Sequence, residues 1–169
     1  IGASLWWPCK DHLSDEPDSM DIHCSVPSPL VCVSNGQDRG VTNDMAGYNT
    51  YNWHVSYPIN NYNVSINVGD YVHLHDVYED ETGDTLSLDY YVIRGNENKA
   101  ESHFKQVKPM LACYEKFLGK YPFPDDGYAL VQTPYLGMEH QGAIAYGNKF
   151  RTGYLGSDRS GQRLEFDYI

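Results

Sequence analysis

The stretch YALVQTPYLGMEHQGAIAYGN, residues 128–148, decides how the rest of the chain is read. Tyr-Ala-Leu-Val-Gln-Thr-Pro-Tyr-Leu and Gly-Ala-Ile-Ala-Tyr-Gly-Asn are short runs rich in apolar and aromatic residues, bounded by Gly and Pro, and each reads as a strand. Between them Glu139 and His140 stand side by side in a Gly-punctuated segment. A charged pair in a strand-like stretch ordinarily faces water on the solvated side of a sheet. The surrounding sequence has to say whether that carboxylate does more.

Immediately upstream the pattern changes period. Phe104, Val107, Leu111, Tyr114 and Leu118 recur at the 3.6-residue spacing of one helix face. Asn96 can cap that helix, Gly119 ends it, and Pro122 lies just beyond. Pro109 falls inside it and predicts a kink, because its ring removes a backbone donor. Further back, LSLDYYVIRG (86–95) reads as a strand preceded by the acidic polar loop EDETGD (79–84). Before that loop the pattern is β throughout: YNWHVSY places Tyr51, Trp53, Val55 and Tyr57 on one face and Asn52, His54 and Ser56 on the other. DIHCSV, LVCVSN, NVSINVG and YVHLHDVY fit the same description, with Asn35-Gly36 as a turn signal and Gly69 as a bend. Short strands separated by turns predict part of a sandwich. The change from all-β to mixed α and β places a domain boundary between residues 84 and 85, giving units 1–84 and 85–169.

Composition narrows the function classes. With 12 Lys+Arg against 23 Asp+Glu the net charge is −11, which disfavours nucleic acid or an anionic membrane as partner and suits a cationic ligand. Hydrophobic residues at 41% and charged residues at 21% belong to an ordered globular chain. No apolar run approaches the roughly 18–20 residues that span a bilayer. The four cysteines, Cys9, Cys24, Cys32 and Cys113, have no Cys-x-x-Cys spacing and leave the redox compartment open. An exported or periplasmic location is favoured over a cytoplasmic one.

Several residue groups could carry chemistry. His73 and His75 lie two apart on a predicted strand, so their rings share a face, the geometry of a metal pair, yet no third ligand stands near them in sequence. Cys9, His12, His23 and Cys24 include four zinc-ligand side chains, but His23 and Cys24 are adjacent on a strand and point to opposite faces. Trp6 and Trp7 could stack on a sugar, although paired Trp beside Pro8 is the signature of core or edge packing. Asp125-Asp126 beside Gly127 reads as a solvated turn. Phosphate-binding, nucleophile-elbow and dinucleotide motifs are absent from the sequence.

The segment Leu136, Gly137, Met138, Glu139, His140 resembles the Gly-x-Met-Glu-Asn exopeptidase motif of the M1 family of zinc metallopeptidases, the gluzincin aminopeptidases. Three further segments resemble the family in the same order. WWPCKDHLSDEPDSMDI (6–22) is similar to its Phe-Pro-Cys-x-Asp-Glu-Pro segment, with extra residues between Cys9 and Asp15. YPINNYNVSINVGDY (57–71) matches at Pro58, Tyr62, Val68, Gly69, Asp70 and Tyr71. YEKFLGKYPFPDDGYALVQTPYL (114–136) looks like the helix end, Tyr-Pro-x-Pro turn and strand that lead into the motif.

The resemblance implies a mixed α and β fold: a partial, saddle-like N-terminal β-sandwich domain followed by the first α/β elements of a thermolysin-like catalytic domain. It implies an aminopeptidase whose Glu139, with Gly137, Met138 and His140, binds a peptide substrate by its free N-terminus. The family's His-Glu-x-x-His helix does not occur in these 169 residues, and FDYI at 166–169 resembles the sequence just ahead of it. The expectation is therefore a piece of a zinc enzyme whose metal ligands lie outside this chain, inactive and without metal by itself, and prone to self-association. Leu136 and His140 depart from the motif, where the family has Gly and Asn. The alternatives are an inactive scaffold related to the family and an unrelated β-rich module that binds carbohydrate or protein.

Overall fold

In a computed structural model the described residues are 2–44 and 46–158. The strands are β1 (Met20–Pro27), β2 (Val31–Ser34), β3 (Gln37–Asp44), β4 (Tyr48–Val55), β5 (Ile66–Gly69), β6 (Tyr71–Glu79), β7 (Thr85–Ile93), β8 (Tyr128–Gln132), β9 (Gly137–Met138) and β10 (Ile144–Tyr146). Helices α1 (Glu97–His103) and α2 (Val107–Leu118) stand between β7 and β8. The fold is mixed α and β, as the sequence implies.

The strands form three sheets, ordered β1-β4-β3, β2-β5 and β6-β7-β8-β10-β9. In β4 Trp53 and Val55 are buried, as their alternation requires. Strand β3 has no apolar alternation and went unread in the sequence; it is an exposed partner of β4, with a register shift between Asp38 and Val41 at the left-handed Gly40. The acidic stretch 80–84 turns the β6–β7 hairpin, so the five-stranded sheet draws strands from both sides of residue 84.

That sheet is covered on both faces. On one, Leu88, Val92, Leu130 and Tyr146 pack against Phe104, Val107 and Leu111 of the helical segment. On the other, Tyr91, Ala129 and Val131 meet Val33 and Trp53 from the smaller sheets. Double coverage explains why Tyr128, Ala129, Leu130 and Val131 of β8 are all buried and why that strand reads as a continuous apolar run. Burial of Leu130 or Val131 contributes about 1.5–3 kcal/mol each.

The helix breaks earlier than its proline. A 3-10 turn at Phe104–Gln106 separates α1 from α2, and Pro109 sits in the first turn of α2, where a missing N–H costs little. The strain falls one turn ahead because the ring crowds the carbonyl four residues back. Asn96 occupies the cap position without a side-chain cap bond; its amide donates to Gln132 and its oxygen accepts from Lys99. Tyr114, Phe117 and Leu118 at the end of α2 are exposed. Among the described residues no helix is long and apolar enough to cross a membrane. The 166–169 stretch lies outside the described residues.

Candidate functional site

Among the described residues strand β9 is the last of its sheet and pairs only on its inner side, Met138 opposite Ala145 and Gly137 opposite Tyr146. Glycine is required at two points of this pairing. A Cβ on Gly137 would approach the Ala145 carbonyl oxygen to 2.8 Å, and one on Gly147 would lie 1.4 Å from that of Tyr135. Gly147 N–H donates to the Leu136 carbonyl at 2.9 Å, and Thr133 N–H to that of Tyr146 at 2.7 Å. The Gly punctuation of the motif is therefore packing: two backbones cross where only hydrogen fits.

A groove of about 780 Å³ opens beside this edge. Gly137, Met138, His140 and Tyr135 line it from the motif segment, and Trp6, Tyr62 and Ile66 from the N-terminal part of the chain. Trp6 is half exposed there, whereas its neighbour Trp7 packs against the small core of Val55, Ile59 and Val64. The tryptophan pair thus divides between groove wall and core.

The four motif residues are together, with different exposures. Met138 and His140 are partly buried, while Glu139 between them is exposed and is not part of the groove lining. Among the described residues no hydrogen bond or ion pair engages the Glu139 carboxylate. His140 Nδ1 is buried without a hydrogen-bond partner among the described residues. Burial pulls the His140 ring below its ordinary value of 6.5, against the opposing charge of Glu139, and so keeps the imidazole neutral.

The loop after β9 is held by a buried asparagine. Asn35 Nδ2 donates to the carbonyls of Asn63 at 2.8 Å and Gln141 at 2.7 Å, and its Oδ1 accepts Ser65 N–H at 2.7 Å. The sequence reads Asn35-Gly36 as a turn; the structure adds that this side chain joins β2, β5 and the motif loop. Asp126 likewise departs from a solvated turn, because it is buried and both its oxygens accept Ser56 N–H at 3.0 Å.

Two other candidate groups separate. His23 is exposed and bonds Asn52, and His12 Nδ1 is 2.7 Å from Ser14 Oγ, so Cys9, His12, His23 and Cys24 form no metal cluster among the described residues. His73 and His75 do share a face, and antiparallel register brings Asp89 directly opposite His75. This third side chain was missed because it is 14 residues away in sequence. Centring a hairpin on residues 79–84 would have found it.

No family model matches the sequence, and no curated protein matches it either. Solved structures do resemble its fold. A two-domain M1 zinc metallopeptidase bound to L-tryptophan aligns with a TM-score of 0.74 at 21% identity, over 86% of this chain and 33% of that one. An M1 zinc metallopeptidase of Deinococcus radiodurans bound to a Tyr-Ser-Ala substrate gives 0.74 at 21%, over 86% and 34%. Legionella pneumophila aminopeptidase A in complex with aspartic acid gives 0.67 at 17%, over 78% and 16%. The chain spans about a third of the length of the first two and less of the last. Over the region it spans, this chain has the fold of M1 zinc metallopeptidases.

Proposed function

We propose that this chain is the substrate-holding part of a zinc aminopeptidase that removes N-terminal residues from peptides. One observation carries the reading: on an M1-like fold, a strand edge open among the described residues borders a groove and is followed at once by Glu139, whose carboxylate has no partner among them. A peptide laid along β9 would add a strand to the sheet through backbone hydrogen bonds. Glu139 would pair with its free α-ammonium, which internal peptide segments lack, and so mark where the chain must stop. Met138 and the neutral His140 ring would contact the first side chain, and the surplus of acidic residues would draw cationic N-termini toward the site.

The zinc implied by the fold does not fit this groove. Of its described lining only His140 is an ordinary zinc ligand, and even with the neighbouring Glu139 the set falls short of the three protein ligands a catalytic zinc takes. The role assigned to these residues is therefore binding and orientation.

The test is Glu139→Ala in the intact protein, with a free-amine peptide compared against its N-acetylated form. A pair formed in open water is worth about 0.2–1 kcal/mol. One enclosed by substrate and covering structure costs about 2–5 kcal/mol to truncate, so kcat/KM for the free amine should fall about 30- to several-thousand-fold. The acetylated peptide has no ammonium to lose and should change far less. Equal losses on both substrates, or a loss below about fivefold on the free amine, would defeat the ammonium-anchor reading.

A further inference from the structure

The geometry points to a surface metal site for a divalent transition-metal ion, built by His73, His75 and Asp89 on the β6–β7 hairpin. Asp89 Oδ1 lies 2.7 Å from His73 Nε2 and 3.1 Å from His75 Nδ1, and one ligand atom from each of the three residues falls within 4.8 Å of the other two. A tetrahedral zinc with bonds of about 2.0–2.1 Å sets its ligand atoms about 3.3 Å apart. To admit the ion the His73 contact to Asp89 would open by about 0.6 Å and the His75 contact by about 0.2 Å, and the imidazole nitrogens, wherever they stand wider apart, would draw in to the same separation.

The ligands are held in place. His73 stacks on Tyr91, with ring centroids 4.6 Å apart and planes 10° apart, which fixes the ring that supplies Nε2. Ser87 Oγ donates to Asp89 Oδ2 at 2.6 Å, leaving Oδ1 to face the imidazoles, the kind of outer contact that orients a ligating carboxylate. Without metal, each ring can present an N–H to Oδ1. With metal, that proton resides on the ring's other nitrogen and the lone pair turns to the ion.

The surroundings favour a cation and leave room for its remaining ligands. His73 and Asp89 line a groove of about 250 Å³ together with Asp38, Asp125 and Asp126. His75 is more than half exposed, so water can complete the coordination sphere. Two imidazoles and one carboxylate select zinc, nickel, cobalt or copper over magnesium or calcium, which take oxygen ligands. The site lies on β6 and β7, at the other end of the strand order from β9, and is independent of the proposed substrate groove.

The test compares the full chain with the double variant His73→Gln/His75→Gln by Zn2+ titration and by metal content after dialysis. The wild type should hold one more Zn2+ than the double variant, a difference unaffected by any other zinc in the protein. The exposed single variant His75→Gln, which spares the Tyr91 stack, should weaken binding by at least about tenfold, the scale of loss seen even for outer contacts of a metal site. Far-UV circular dichroism should match for all three proteins. Cobalt should compete with zinc for the site, and millimolar magnesium should not. Equal zinc content and affinity in wild type and variants would overturn the proposal, as would displacement of zinc by magnesium.

Discussion

Replacing Gly147 by Ala tests whether the motif segment is seated by backbone contact. Gly147 does not have a left-handed φ, so the backbone itself accepts alanine; the obstacle is space. The added Cβ would lie 1.4 Å from the Tyr135 carbonyl oxygen and 2.4 Å from its carbon, both backbone atoms that no side-chain rotation can move. Reaching van der Waals separation requires about 2 Å of displacement. Such a shift breaks the Gly147 N–H bond to Leu136 and the Thr133 N–H bond to Tyr146, and unseats the two β9–β10 pairs. Two backbone bonds at about 0.5–1.5 kcal/mol each, plus overpacking of about 1–3 kcal/mol, give a loss of about 2–6 kcal/mol. Gly40→Ala is the contrast, because Gly40 has a φ of 93° and nothing within 4 Å of its Cβ position. Only backbone strain acts there, about 1–2 kcal/mol. Urea unfolding of both variants, with amide hydrogen exchange at Thr133 and Gly147, measures the difference. Stability of Gly147→Ala within about 0.5 kcal/mol of wild type, with both amides still protected, would refute the packing account of this segment.

Asn35→Ala should strand Ser65 N–H and the carbonyls of Asn63 and Gln141 around a fully buried position, at about 1–3 kcal/mol for each group left unpaired. Asn35→Asp has the same shape but no donors, so urea unfolding should find it no rescue; wild-type stability in Asn35→Asp would contradict the staple. In the β6–β7 turn, hydrogen bonds from Lys120 and Thr82 hold the Asp80 carboxyl well below its ordinary value of 3.8 despite burial. A depressed carboxylate stabilises the fold above that ordinary value and loses its contribution as pH falls below it. Asp80→Asn should therefore be less stable at neutral pH and show a shallower fall of Tm on the acid side; parallel Tm curves for the two proteins would exclude Asp80 as a source of acid sensitivity.

The sequence by itself determined the elements whose burial repeats locally. Alternation marks Trp53 and Val55 as inward in β4, and the 3.6-residue period selects Phe104, Val107 and Leu111 as the helix face that meets the sheet. The same period includes Tyr114 and Leu118, which are exposed, because periodicity reports which face is apolar and not how far along the helix a partner extends. Polar β3 was illegible for the complementary reason: its place comes from pairing with β4, a term that local composition does not contain. In the candidate site the motif Gly137, Met138, Glu139 and His140 could be read, but the groove and, among the described residues, the open edge of β9 and the unpartnered Glu139 carboxylate are products of strand order. Tertiary structure alone decided that Asn35 reaches Gln141 across 106 residues and that Asp89 closes on His73 and His75. Short-range patterns encode a preference for burial, whereas a buried hydrogen bond or a ligand set depends on register and chain crossing, which are fixed only when distant segments pack together.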